Sequence, residues 1–187
     1  MEDRRKVLIN LLRDPDEKVR RSAAEALERL DGLQNLSTLL EKYRTGDKVL
    51  KLRVIYAMGK LRADSCLPML IHAMASEEED LKAAAIRVLG ELGDVRTLQS
   101  LVAGLNDPSL TIQTLTVEAL ANFRHKHLVP LLLPVLQREN KYLVIATLNT
   151  LAKLNAANAL EHIIPLTRHS DPDIRRTAAE VLGEIET

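Results

Sequence analysis

Residues 14–27, Asp14-Pro-Asp-Glu-Lys-Val-Arg-Arg-Ser-Ala-Ala-Glu-Ala-Leu27, are matched near the other end by residues 171–183, Asp171-Pro-Asp-Ile-Arg-Arg-Thr-Ala-Ala-Glu-Val-Leu-Gly183. In the first copy Val19, Ala23, Ala26, Leu27 and Leu30 fall at the three/four spacing that puts apolar side chains on one face of a helix. An acid before a proline suits a helix start, where an N-cap acceptor is needed and a missing N–H costs nothing. Asp14-Pro15, Asp107-Pro108 and Asp171-Pro172 are read as such starts, and Ser76 to Glu79 as a capping box. Gly32 and Gly93 suit helix C-termini.

The chain between the two copies repeats the pattern every 31 residues. Leu27, Met58, Leu89, Leu120, Leu151 and Leu182 form one apolar column. Leu30, Leu61, Leu92, Phe123, Leu154 and Ile185 form a second, and Val19, Leu50, Leu81, Ile112, Leu143 and Ile174 a third. Leu8, Leu39, Leu70, Leu101, Leu132 and Ile163 place a further apolar face ahead of each. Fixed-period self-similarity is the mark of a stacked-repeat architecture. A unit of this length holds two helices and has no room for a third. The Thr-, Val- and Ile-rich stretches 110–117 and 142–148 favour strands by propensity, but their register with the columns makes them helical. The expected fold is all-α: a right-handed α-α superhelix, or solenoid, of six two-helix repeats. Their bounds are approximately 1–32, 33–63, 64–94, 95–125, 126–156 and 157–187, in a single domain. Pro134 and Pro165, also 31 apart, fall in mid-helix and are expected to bend the first helices there.

The two quoted stretches, with Ala84-Ala-Ile-Arg-Val-Leu-Gly-Glu-Leu-Gly-Asp94, resemble HEAT repeats, in particular the short HEAT-like repeats of phycobilisome lyases. The resemblance implies second helices lining the concave side. It says little about chemistry, because unrelated functions share the scaffold.

Composition removes several function classes. The 187 residues carry 26 Lys plus Arg and 26 Asp plus Glu, so net charge is zero. A general nucleic-acid binder carries excess positive charge to displace counterions. Four aromatics and no Trp leave little to stack on bases. No apolar run reaches the roughly 18 residues of a membrane span, and the opening Met-Glu-Asp-Arg-Arg-Lys lacks a signal-peptide core, so a cytoplasmic location without membrane contact is expected. The single cysteine, Cys66, permits no disulfide and sits in a column with Arg4, Asn35 and Thr97 as a partly buried small residue. His125-Lys-His127 lacks neighbouring ligands and reads as solvated loop histidine. No histidine is followed by Glu, the pair that holds iron in the HEAT-like deoxyhypusine hydroxylases. No metal, cofactor or catalytic residue is expected, and the chain reads as a non-enzyme.

On a helical wheel, columns starting at 18, 21, 22, 25 and 29 remain as the exposed arc of the second helices. The arc is charged toward both ends and apolar in the middle. Stacking would bring Arg53, Tyr56, Arg87, Leu115, Glu118, Tyr142, Ile145 and Asn149 onto one surface. Aromatics and Arg with apolar neighbours and a polar rim are the composition of a protein-binding patch. The column Arg20, Lys51, Lys82, Gln113, Val144, Arg175 reads as an inter-repeat ladder of cations meeting turn acids, in preference to an open basic stripe. The function expected is a scaffold that binds a protein partner on this face, with self-association through the terminal repeats as a further contact. The alternative is an accessory or chaperone-like subunit of an enzyme, of the bilin-lyase type.

Overall fold

The computed structural model describes residues 2–34 and 36–186, and the side chains of all of these except 2, 3, 32–34 and 126. The sequence column containing Asn35 therefore has that member outside the described residues. Secondary structure among the described residues is helical throughout, with no strand.

The chain falls into two compact units, Met1–Leu70 and Ile71–Thr187. The first contains α1 (Glu2–Leu11), α2 (Glu17–Gln34), α3 (Leu36–Thr45) and α4 (Lys48–Leu61); α5 (Leu67–Met74) holds the boundary. The second contains α6 (Glu79–Leu92), α7 (Leu98–Ala103), α8 (Leu110–Leu120), α9 (Val129–Leu132), α10 (Lys141–Lys153), α11 (Leu160–Ile163) and α12 (Pro172–Glu184). The even-numbered helices start at 17, 48, 79, 110, 141 and 172, each 31 residues after the last. The Thr- and Val-rich stretches are helical, as α8 and α10: burial of the repeat columns overrides local β propensity.

In the first unit α1 packs on α2 and α3 on α4, with α2 also against α3 and α4. In the second, α6 packs on α8, α8 on α10 and α10 on α12. The column Ile86, Val117, Leu148 on α6, α8 and α10 is fully buried. Because α6, α8 and α10 pack side by side, these buried side chains belong to one core running along the second helices, which is how a repeat array builds a continuous core.

Helix starts differ in detail from the sequence reading. The capping residues share one column of the 31-residue register at Asp16, Asp47, Ser109, Asn140 and Asp171, with Glu78 the member that makes no side-chain cap; Asp47, for example, accepts from the Leu50 N–H at 2.8 Å. Asp14 and Asp107 are not caps. They lie two residues earlier and accept from the N–H of Asp16 and Ser109, closing the preceding turn. Ser76 does the same for Glu78, so no capping box forms there. The three Asp-Pro pairs belong to two different columns, which composition alone does not separate.

Helix ends follow a column too. Arg62, Gly93, Arg124 and Asn155 all take left-handed backbone, with φ of 49°, 62°, 47° and 47°. Only one of the four is glycine, although L side chains resist this region. Gly32 lies one residue off that column and sits inside α2. At Pro134 and Pro165 the first helices pass from α9 and α11 into 3₁₀ turns one residue ahead of each proline. A similar 3₁₀ turn follows α7 at Gly104–Asn106 without a proline. The change of pitch is therefore a property of the repeat that proline reinforces.

Three of the four cations of the basic column, Arg20, Lys82 and Arg175, are engaged in the structure. Lys82 Nζ lies 2.6 Å from Asp107 Oδ2 in the next repeat's turn, with both side chains largely buried. Arg20, Gln113 and Arg175 instead donate to carbonyls of their own preceding turns. Arg138 adds a second inter-repeat tie to the Leu105 carbonyl and the Gln113 amide oxygen. Partial desolvation opposes ionisation of Asp107, but Lys82 and the Ser109 N–H outweigh it and hold the carboxyl below its ordinary range. A depressed carboxyl contributes stability above its unfolded pKa of about 3.9, and loses it as pH falls through the folded value. Asp107→Asn keeps the turn acceptor and removes the charge. It is expected to cost about 1 kcal/mol in urea unfolding at pH 7, a difference that shrinks steadily below about pH 4.

Candidate functional site

The exposed arc of the second helices is narrower than the wheel predicts. Columns 18, 25 and 29 are exposed almost throughout, but Ala84, Ala146 and Thr177 of column 22 are buried. Leu115 and Ile145, expected on the surface, are half-buried. The cause is stacking: these positions turn toward the flanking second helix, a neighbour that a single-helix wheel omits.

Within the second unit, Arg87 on α6, Glu118 on α8 and Asn149 on α10 are exposed members of column 25. Because α6, α8 and α10 pack in sequence, these three form a polar row. Tyr142, at the first turn of α10, is 67% exposed, the most exposed large apolar side chain among the described residues. Lys141 Nζ lies 5.4 Å from the centre of its ring and is tied to Asp173 at 3.1 Å and Asp171 at 3.8 Å. The hydrogen bond to Asp173 and the charges of both acids hold the Lys141 ammonium above its ordinary range. Tyr142 thus stands beside a clamped, fixed charge. The sequence reading missed that clamp because its acids come from α12, one repeat away.

Arg53 and Tyr56 belong to the first unit, on α4. There they line a groove of 1020 Å3 between α2, α3 and α4. Its floor includes Leu39, Ala57 and Leu61. Lys42 of α3 and Arg62, just past α4, line it as well. Neither is on the second-helix arc, so column sorting did not find them.

The other reactive groups have structural surroundings. Cys66 is fully buried, more so than expected, and desolvation pushes its thiol pKa up, away from a reactive thiolate. His127 is exposed, while His125 is half-buried with its Nδ1 unpartnered among the described residues. The two rings stand 5.1 Å apart. Among the described residues no cluster of His, Cys, Asp and Glu could hold a metal ion, and no helix is long and apolar enough to cross a membrane.

Family models for HEAT repeats match residues 36–121 and 99–183, and a HEAT repeat model matches residues 5–31. The chain is a HEAT-repeat protein. No curated protein matches it. Among solved structures, it is similar to a chain in the complex of CpcE and CpcF of phycocyanin lyase from Nostoc sp. PCC7120. The identity is 21% over 97% of this chain and 76% of that one, with a TM-score of 0.56. A HEAT-like repeats protein from Thermococcus onnurineus NA1 matches at 15% identity over 97% of this chain and 86% of that one, with a TM-score of 0.53. A designed armadillo repeat protein in complex with the peptide (KR)4 matches at 16% identity over 96% and 98% of the two chains, with a TM-score of 0.61. At these identities the likeness establishes the α-solenoid repeat fold of this HEAT-repeat chain.

Proposed function

We propose that the chain is a non-catalytic scaffold that binds a protein partner on the exposed faces of its second helices. In the second unit the face comprises Arg87, Leu115, Glu118, Tyr142, Ile145 and Asn149. The observation that carries the reading is Tyr142: a large aromatic, 67% exposed, above half-buried apolar residues and beside a polar row. An aromatic anchor ringed by polar side chains is the usual energetic centre of an interface. The helical repeats supply a rigid base for it, and peptide- and subunit-bound relatives of this fold support the use.

Tyr142→Asp places an unpaired carboxylate where the partner would desolvate it, which is costly. The variant is expected to stay folded, within about 0.5 kcal/mol of the parent, and to recover at least tenfold less of the proteins captured by the parent chain from extract. Ile145→Asp, at a half-buried position, is expected to lower the melting temperature as well. Unchanged recovery with Tyr142→Asp would move the contact off this face.

A second reading, an accessory subunit of an enzyme, draws on the likeness to a chain of the CpcE–CpcF complex. It predicts one stoichiometric partner in the captured fraction, where a general scaffold captures several.

A further inference from the structure

The groove of the first unit has a charge distribution that the neutral chain as a whole does not. Arg29 of α2, Lys42 of α3, Arg53 and Lys60 of α4, and Arg62 all line it. All five are exposed. Among the described residues none of the five side chains makes a hydrogen bond or ion pair. Many cations elsewhere in the protein are engaged: Lys82 with Asp107, Lys141 with Asp173, Arg176 with Glu180, Arg138 with two carbonyl-type oxygens. Two acids of α2, Glu25 and Glu28, also line it, and Glu25 accepts a hydrogen bond from Arg21 Nε at 3.2 Å, which leaves the cations in excess. Five like charges held around one cavity without partners repel one another, and a bound anionic segment would relieve that repulsion.

We propose that this groove binds a short acidic peptide segment of a protein partner, with an apolar side chain of the segment seated on Leu39, Ala57 and Leu61 against the Tyr56 ring. Carboxylates fit guanidinium groups in bidentate geometry, and Arg53, in the second turn of α4, and Arg62, just past its C-terminal end, present two of them along the groove. Tyr56 is about half exposed, 48%, and so has ring area left to cover. Nucleic acid fits less well. The groove offers one aromatic ring for stacking, its floor is aliphatic, and the two acids of α2 would face a phosphodiester backbone. A basic peptide is repelled outright. The site lies on a different unit from the Tyr142 face and stands independently of it.

The test is fluorescence anisotropy with the full chain and three labelled probes: a 12-residue Glu/Asp-rich peptide containing two Leu, the same peptide with Lys at every acidic position, and a 12-nucleotide single-stranded DNA. The acidic peptide is expected to saturate, with affinity falling as salt rises from 50 to 250 mM. The Lys peptide should not saturate at ten times that concentration. Arg53→Glu with Lys60→Glu should weaken the acidic peptide at least tenfold with an unchanged melting curve, and Tyr142→Asp should leave it unaffected. Should the reversal variant melt early, Arg53→Gln with Lys60→Gln is the measure, with a severalfold loss expected. An acidic peptide that fails to saturate below millimolar concentration overturns the proposal. So does one that binds the charge-altered variants as tightly as the parent. DNA that outcompetes the peptide and is lost in the same variants would reassign the groove to nucleic acid.

Discussion

Leu89→Ala is expected to destabilise the protein by about 2–5 kcal/mol, whereas Arg87→Ala, two residues earlier on the same helix, should change stability by less than about 0.5 kcal/mol. Leu89 is fully buried in α6, in the column that supplies Met58 to α4, Leu120 to α8 and Leu151 to α10. Removing its isobutyl group loses the transfer free energy and leaves a cavity. Flanking Val88 and Ile86 are also buried, so the site has few mobile neighbours to collapse into the space. Arg87 is exposed, and its side chain makes no hydrogen bond or ion pair among the described residues. Chemical denaturation of the two variants measures the contrast. Costs of similar size, or in reverse order, would mean that α6 is rotated about its axis from the orientation described.

That contrast was legible in the sequence because it depends on one helix and the period of its columns. The starts of the even-numbered helices, the helical state of residues 110–117 and the burial of the Leu27 column through the inner repeats all follow from the same 31-residue register. Features set by two helices at once were not legible. A wheel drawn for one helix puts Leu115 and Ile145 in solvent, yet stacking half-buries them. The same wheel groups Arg53 with Arg87, and it cannot see that Lys42 from α3 and Arg62 beyond α4 join Arg53 around a groove. The caps show a finer version of the limit. Asp-Pro occurs in two registers, and only the backbone shows that Asp171 caps a helix while Asp14 and Asp107 close the turn before one.

The sharpest case is a column whose members share an identity and differ in surroundings. Gly90 and Gly183 both fall in the column that begins at Glu28, and sequence alone treats them alike. In the structure, a Cβ on Gly90 would lie 2.6 Å from the Ala119 Cβ and 3.0 Å from its Cα, where α6 and α8 cross. The second contact is with backbone, so no rotamer change relieves it. Gly90→Ala must push two packed helices apart, and overpacking of this kind costs roughly 1–3 kcal/mol, more than the ~1 kcal/mol that alanine contributes over glycine inside a helix. A Cβ on Gly183 meets nothing within 4 Å, because no further second helix packs on that face of α12 among the described residues. There only the helix propensity remains, and Gly183→Ala is expected to stabilise by about 0.4–1 kcal/mol. Opposite signs at the two positions, read from urea midpoints, are the expected result. Ala119→Gly supplies the internal check. Adding it to Gly90→Ala removes the clashing methyl and should recover part of the loss, giving a favourable coupling of at least about 0.5 kcal/mol in a double-mutant cycle. An additive cycle would place the α6–α8 crossing elsewhere than at Gly90 and Ala119.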